Sequence, residues 1–401
     1  MAKIRASFFL WNTYLAAFLI CFIPRTLVAF LANEIGAYAL PFNNLPPNNY
    51  LIYPGYAVLI HILKELSYGS LTLYTLYHLT LHGMIGPITL ALCRLLNIDK
   101  AGTLLSILGV ALLPYYLSLS GFQPQTGLVV SLCGLFVYTY FSWAQTQYPK
   151  KKAAILCLVL FIILFFRPEV IIVFGALYSY TLFTNKANKR TLPSLLTPAF
   201  LLLLITAVAI TINYWFAGEA RLPLPKHSGK LLYQGNNPHV HSYVSAYTQS
   251  LYIESYYVDH PLPDTIAQAI TPEERDNLLK KKAITFIKEN PMYFIKITAL
   301  KFLRYWDFRL DDAAVETREK NAAYSIPYLL YAPLALFGFH LLYKKRHPFA
   351  VPLIGIMLVH ALFLSVIITS IRYRMVFEFV LIIAASHAVS SIIKKDTHET
   401  P

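Results

Sequence analysis

The segment LVLFIILFFRPEVIIVFGAL, residues 158–177, places Arg167, Pro168 and Glu169 between two apolar runs. Each run has about 14 apolar residues, which make roughly 21 Å of helix, and ionised side chains inside a bilayer are costly. The segment is therefore either one long interrupted helix or two short helices that meet at the Arg-Pro-Glu sequence. The charges on either side of the segment decide between these two structures.

The rest of the chain is as apolar as this segment. Of the 401 residues, 57% are hydrophobic and 13% are charged, about half the charged fraction of a typical soluble domain. Apolar runs of about 20 residues recur from end to end, which indicates an all-α polytopic membrane protein. The first run, residues 8–30, is too long for the apolar region of a signal peptide, so we expect a membrane anchor.

We predict ten membrane spans from these runs, near residues 8–30, 71–93, 101–119, 125–145, 153–167, 170–184, 195–217, 325–343, 349–369 and 373–393. Short basic connections separate them, at Lys3/Arg5, Arg94/Lys100, Lys150–Lys152, Lys186/Lys189/Arg190, Lys344–Arg346 and Lys394/Lys395. Ten spans put every basic connection on one side of the membrane, which the positive-inside rule makes cytoplasmic, together with both termini. The net charge of +14 therefore indicates membrane orientation and no nucleic-acid partner.

This topology also decides whether residues 158–177 cross the membrane once or twice. The basic residues Lys150–Lys152 before it and Lys186–Arg190 after it must share a side, so residues 158–177 cross the membrane twice. We therefore predict a short hairpin with Arg167, Pro168 and Glu169 at its outer tip. A single long tilted helix is the alternative, and it would misplace one set of basic loops.

Two long connections remain on the outer, periplasmic face, at residues 31–70 and 218–322. The second contains 14 Lys/Arg and 13 Asp/Glu, a mixture that indicates a folded aqueous subdomain rather than a basic anchor. The predicted domains are thus an N-terminal transmembrane region (1–217), a mainly helical periplasmic subdomain (218–322) and a C-terminal transmembrane region with a cytoplasmic tail (323–401).

Helix start and stop signals stand out within the second connection. Thr271, Pro272 and Glu274 form a capping box at the start of a helix, and Asn290-Pro291 ends it. The following sequence MYFIKITALKFLRYWDF is an amphipathic helix rich in aromatic and basic residues. We expect this second helix to lie at the membrane interface.

The sequence contains none of the common nucleotide-binding or zinc-binding motifs. There is no Walker A loop, GxGxxG, HExxH or CxxC pair, so nucleotide-driven transport and zinc chemistry have no sequence support. The four cysteines all fall within apolar runs, where packing is the expected role. We predict no cofactor, and a divalent metal is an open alternative that the sequence does not support.

Charged residues of the outer face are better candidates for chemistry. Glu34 is the single carboxylate of residues 31–59 in the first outer loop, and a solvated or capping role is the plain alternative for it. Arg167, Arg372 and Arg374 are outer-face arginines, which the positive-inside rule disfavours. An anionic partner would explain them, because guanidinium binds phosphate bidentately and keeps its charge. The alternatives are lipid headgroups or pairing with Glu169 and Glu378.

In order and topology, these pieces resemble the GT-C superfamily of membrane glycosyltransferases, over nearly the whole chain. The branch is that of the bacterial relatives of protein O-mannosyltransferases and of the lipid A aminoarabinose transferase. The matching elements are Glu34 with Tyr38, YPGYAVL at 53–59, Arg167–Glu169, LLYQGNNPH with Gly235–Pro238, FIKENPMYF with Lys301, and Arg372–Arg374. One departure is Asn33-Glu34, where the family usually has an Asp.

The resemblance implies an inverting glycosyltransferase at the periplasmic face of a bacterial inner membrane. The donor would be a sugar on a polyprenyl phosphate, the acceptor would be a hydroxyl, and membrane lipids would surround the site. Glu34 would be the general base, and the donor phosphate would contact Arg372, Arg374, Arg167, Lys301, Lys226 and His227. Sugar or acceptor would contact Tyr38, Tyr53, Tyr56, Asn236 and Asn237.

Two other functions remain open from the sequence. A lipid-linked saccharide ligase or polymerase would share the polyprenyl donor and the arginines. A non-enzymatic transporter of a lipid-linked sugar is the other alternative. Transporters commonly show internal repeats and charged residues near the midplane, whereas these charges gather at the outer ends of the spans and no repeat is present.

Overall fold

The computed structural model describes residues 2–31, 54–114, 116–117, 124–146, 149–184, 192–217, 228–240, 271–308, 318–368 and 371–398. Every regular element in these ranges is an α-helix, as the apolar periodicity predicts. The N-terminal helices are α1 Ala2–Leu31, α2 Pro54–Leu66, α3 Leu71–Gly83, α4 Ile85–Leu95, α5 Lys100–Leu112, α6 Pro124–Gln145, α7 Lys150–Leu164, α8 Val170–Thr184 and α9 Leu192–Ala217. The later helices are α10 Ser228–Gly235, α11 Pro272–Glu289, α12 Pro291–Tyr305, α13 Arg318–Lys344, α14 Ala350–Ile367 and α15 Ile371–His398.

Six helical segments within the described ranges are long and apolar enough to cross a membrane. They are Asn12–Phe30, Leu71–Leu95, Thr126–Gln145, Ser325–Lys344, Ala350–Ile367 and Tyr373–Lys394. Each coincides with one of the predicted spans. The chain is therefore an all-helical protein of the membrane-embedded kind, as its composition indicates.

Three of the other predicted spans correspond to shorter helices, and the fourth, at 195–217, corresponds to the 26-residue α9. The span at 101–119 becomes α5 with 13 residues, and those at 153–167 and 170–184 become α7 and α8 with 15 residues each. Helices of that length reach about 20 to 23 Å, less than the roughly 30 Å of a hydrocarbon core. In α9, the apolar stretch is Leu196–Val208. Six crossings are supported by the length and hydropathy of the described residues, and ten remain a prediction.

The Arg-Pro-Glu segment separates two helices, α7 and α8. Pro168 has no N–H to donate and restricts the residue before it, so the helix ends at Leu164 and a new one begins at Val170. Helix α7 begins beside the end of α6, where the Lys152 ammonium donates to the Ser142 hydroxyl at 2.8 Å, and it leads to the start of α8.

Helix α8 runs in the same direction as α6 and so opposite to α7. Phe136 packs edge-on against Phe174 at 6.4 Å between ring centroids, and one to two turns further along both helices Trp143 stacks on Tyr178, also at 6.4 Å. The chain therefore folds back at Arg167–Glu169, as the hairpin prediction requires. That the tip lies on the outer face remains a prediction.

The chain divides into two compact units, each described here by itself. Unit 1 comprises residues 1–224, 330–356 and 376–401, and unit 2 comprises residues 225–329 and 357–375. In unit 1, α1 and α4 touch closely at Gly86, where a Cβ would lie 2.2 Å from the Ala17 carbonyl oxygen. Cys21, Cys93, Cys133 and Cys157 are buried and free, which confirms their packing role.

Unit 2 is assembled around helix ends. Thr271 accepts a hydrogen bond from Glu274 N at 3.1 Å, and α12 begins at Pro291 directly after Asn290, so both predicted helix boundaries are confirmed. The Asp276 carboxylate of α11 accepts from the backbone N–H groups of Gly229 and Lys230 at 3.0 and 2.8 Å. A carboxylate at this position complements the positive N-terminal end of α10.

Candidate functional site

Residues predicted to act together are distributed unevenly over the structure. Asn236, Asn237, Lys301 and Arg374 all lie in unit 2, although up to 138 residues of sequence separate them. Arg167 lies in unit 1. Tyr56 and Arg372 are described as helical backbone only, and their side-chain positions are not among the described features. The remaining predicted residues, Glu34, Tyr38, Tyr53, Lys226 and His227, lie outside the described ranges.

Lys301 is the most deeply buried of the predicted cations whose side chains the structure describes, with 0% of its surface exposed. Its ammonium donates to the carbonyl oxygens of Gly235 at 2.9 Å, Ile367 at 3.3 Å and Val366 at 3.4 Å, and to Asn236 Oδ1 at 3.4 Å. All four acceptors belong to unit 2. A buried charge is tolerated only with such partners, so these oxygens hold Lys301 in place.

Two helix ends converge on this ammonium. Val366 and Ile367 are the last residues of α14, and Gly235 is the last residue of α10. The final carbonyls of a helix lack intrahelical partners and carry its negative dipole end, so a cation between two such ends satisfies both. Burial lowers the pKa of the Lys301 ammonium to about 7, whereas the surrounding oxygens, which can only accept hydrogen bonds, favour its charged form.

The Gly-Asn-Asn-Pro element explains how the helix ends can approach so closely. A Cβ on Gly235 would lie 1.6 Å from the Ile367 carbonyl oxygen, so only glycine fits there. The Asn236 amide donates to the carbonyls of Val366 and Ile367 at 3.0 and 3.3 Å, and thus caps α14 beside the lysine. The element is therefore a joint between α10 and α14.

Asn237 caps the C-terminal end of α10, the helix that it follows. Its amide donates to the carbonyls of Tyr233 and Gln234 at 2.9 and 3.2 Å, and its Oδ1 accepts from His239 N at 2.9 Å. These bonds cap the end of α10, and Pro238 follows, as is common just after a helix C-terminus. Both asparagines are almost fully buried, so in this conformation their amides bind the backbone.

Arg374, in the first turns of α15, is held by the end of α12. Its guanidinium donates to the carbonyl oxygens of Tyr305 at 3.0 Å and Asp307 at 2.7 Å, and lies 3.8 Å from the centroid of the Tyr328 ring. Guanidinium suits such a place because it stacks on aromatic rings and is more weakly hydrated than ammonium. Arg374 thus caps a helix terminus in the same way as Lys301.

A further polar contact links α12 to α14. The Tyr305 hydroxyl and His360 Nδ1 are hydrogen-bonded at 3.0 Å, and both side chains are buried. Tyr305 follows Lys301 by four residues, which places both on one face of α12. Lys301 and Tyr305 therefore place two buried polar groups on this face of α12, where Asn236 contacts the first and His360 the second.

At the hairpin tip of unit 1, Arg167 pairs with a neighbouring carboxylate. Its Nη1 lies 3.3 Å from Glu169 Oε1, and each side chain is 15% exposed. This is the pairing that the sequence left as an alternative to phosphate binding. Glu378, the other carboxylate considered as an arginine partner, accepts a hydrogen bond from the Tyr331 hydroxyl.

Arg25 is a buried arginine that our sequence analysis did not single out. It lies in α1, and its guanidinium donates to the carbonyl oxygens of Cys21 and Val110, both at 2.7 Å. Val110 belongs to the last turn of α5, so Arg25 also caps a helix terminus. A charged residue inside an apolar run of about 20 residues was the signal that could have identified it.

The described part of unit 2 thus offers buried cations that are bound to the carbonyl oxygens of helix ends. Within the described residues no group of three or more metal-ligating side chains occurs. No protein-family model matches the chain, and no curated protein matches it. The resemblance to membrane glycosyltransferases therefore remains a prediction that rests on its sequence elements.

Proposed function

We propose that this protein is a membrane glycosyltransferase that moves a sugar from a polyprenyl-phosphate donor to a hydroxyl acceptor. The proposal includes about ten membrane crossings, cytoplasmic termini, and a reaction at the periplasmic face of a bacterial inner membrane. It also takes residues 218–322 as an aqueous subdomain on that face.

One observation supports the proposal most. Three sequence elements suggested a common site, namely Gly235–Pro238, Lys301 and Arg372–Arg374. In unit 2, Lys301 binds the first element directly, and Arg374 binds the end of the helix that carries Lys301. Such packing between distant elements is not expected if each match to the family pattern had arisen by chance. These contacts also lie at the ends of α14 and α15, two of the candidate spans.

Inverting transfer requires one base and a stabilised leaving group. The acceptor oxygen attacks the anomeric carbon while the bond from that carbon to the phosphate oxygen breaks, and the lipid phosphate leaves with the bonding electrons. Glu34 would accept the proton of the attacking hydroxyl. Arg372 would stabilise the negative charge on the departing phosphate, since guanidinium binds phosphate bidentately.

Binding of the leaving group tests this proposal without knowledge of the sugar. We expect purified protein in lipid nanodiscs to bind polyprenyl phosphate, and Arg372→Met to weaken that binding tenfold or more, which is about 1.4 kcal/mol. Arg275→Met is the matched control, because Arg275 is exposed on α11. Equal affinities for both variants would contradict the assignment of Arg372.

The transfer of the sugar, unlike binding of the donor, requires the proposed general base Glu34. With a polyprenyl-phosphate sugar that the wild-type protein consumes, Glu34→Gln should abolish release of polyprenyl phosphate and keep its binding. Glu65→Gln, at an exposed position of α2, should leave both unchanged. Full activity of Glu34→Gln would remove Glu34 from the mechanism.

A further inference from the structure

Lys301 has no N–H group directed towards a ligand in this conformation. An ammonium has three donors, and four protein oxygens lie within 3.4 Å of this one. The side chain is completely buried. A lysine that binds a donor phosphate directly would need to release these oxygens first.

Two of the four acceptors of Lys301, the carbonyl oxygens of Val366 and Ile367, lie at the end of α14, shortly before Arg372 in the sequence. Helix α14 ends at Ile367, and α15 begins four residues later, at Ile371, followed by Arg372. Lys301 and Asn236 both bind the last carbonyls of α14. They therefore hold the C-terminal end of α14, which precedes Arg372 in the sequence.

The end of α12, the helix that carries Lys301, also binds a residue near the start of α15. Arg374 is bound through the carbonyls of Tyr305 and Asp307, at the end of α12. Lys301 lies one turn before Tyr305 on that helix. Helix α12 and the residues directly after it thus bind both the end of α14 and Arg374, and Arg372 lies between these two anchor points in the sequence.

We propose that Lys301 is a positioning residue, which holds the segment 367–374 so that Arg372 can bind the donor phosphate, and that Lys301 does not itself contact that phosphate. The same bonds assign Arg374 an anchoring role. This inference rests on the proposed function for its consequence, whereas the anchoring itself can be measured without any ligand.

A double-mutant cycle on polyprenyl phosphate binding separates positioning from direct contact. Lys301→Met should weaken binding about tenfold in the wild-type background. In the Arg372→Met background it should have almost no further effect, because Lys301 acts only through Arg372. Independent, multiplicative losses would show that Lys301 is a phosphate ligand and would overturn the proposal.

Asn236→Ala provides a second variant in case Lys301→Met folds poorly. It removes the amide bonds to the same carbonyls and keeps the ammonium, so it should show the same direction of effect and the same dependence on Arg372. Lys296→Met is the matched control, since Lys296 is exposed on the same helix. An Asn236→Ala protein with wild-type affinity would contradict the proposal.

Amide hydrogen exchange in nanodiscs without ligand gives the independent measurement. Lys301→Met and Asn236→Ala should raise exchange in peptides covering residues 364–376, and Lys296→Met should not. If wild-type protein fails to bind polyprenyl phosphate, the proposed function fails and this exchange result alone decides the anchoring. Unchanged exchange in both variants would overturn the inference whatever the binding result.

Discussion

Gly235→Ala is the substitution for which the structure predicts the sharpest effect. The added Cβ would lie 1.6 Å from the Ile367 carbonyl oxygen and 2.7 Å from its carbonyl carbon. Since Cβ contacts shorter than 3.0 Å essentially do not occur, the helix ends must separate by 3.0 − 1.6, or at least about 1.4 Å. The obstacle is backbone, so no side-chain rotation relieves it.

A separation of this size breaks the joint between α10 and α14. The Lys301 ammonium lies 2.9 Å from the Gly235 oxygen and 3.3 Å from the Ile367 oxygen, and it cannot follow both. Overpacking typically costs about 1 to 3 kcal/mol, and a lost hydrogen bond to a buried charge costs about 1.5 to 3 kcal/mol. We therefore expect a destabilisation of about 3 kcal/mol or more.

Gly355→Ala is the matched control, because a Cβ there meets no atom within 4 Å. Alanine is the better helix former by about 1 kcal/mol, so this control should be neutral or slightly stabilising. The assay is thermal unfolding in detergent together with amide exchange of peptides covering residues 228–240. Identical midpoints and exchange for the two variants would refute the reasoning about the joint.

Three further outcomes follow from the buried charges. The pKa of Lys301 is about 7 when folded and 10.5 when unfolded, so the unfolded state binds more protons between these values. The stability of the wild type relative to Lys301→Met should therefore rise from pH 7 towards 10, by up to about 1.4 kcal/mol per unit; parallel melting profiles would contradict this. Arg25→Met should cost about 2 kcal/mol, because it uncaps α5, and a melting midpoint equal to that of Arg275→Met would exclude that cap. Arg167→Met and Glu169→Gln should be coupled by about 0.5 to 1 kcal/mol in a double-mutant cycle of stability, whereas a loss of polyprenyl phosphate affinity in Arg167→Met alone would instead favour a phosphate role.

Local signals in the sequence predicted the local structure well. The cap at Thr271 and the start of α12 at Pro291 depend on residues within one turn of each other, and both are confirmed. The hairpin at Arg167–Glu169 could be predicted because the basic loops before and after it must lie on the same side of the membrane, so the chain between them has to cross twice. The number of crossings was less accessible, since α5, α7 and α8 are shorter than a hydrocarbon core.

The roles of the site residues were harder to predict for a physical reason. Lys301, Arg374 and Arg25 bind backbone carbonyls at the ends of helices, and every residue type supplies a carbonyl. A sequence therefore carries no signal for these partners, and basic residues look like free ligands for an anion. The sequence elements could identify which residues belong together, but only the packing shows that Lys301 and Arg374 are already engaged.

The most direct test of the central claim is a set of mass spectra of intact lipids, glycans and proteins from a strain that lacks this protein. Complementation with the wild type or with Glu65→Gln should restore a glycosylated species, and Glu34→Gln should leave the unmodified acceptor to accumulate with its polyprenyl-phosphate sugar. An unchanged spectrum of lipids, glycans and proteins in the deletion strain would contradict the assignment of this protein as a glycosyltransferase.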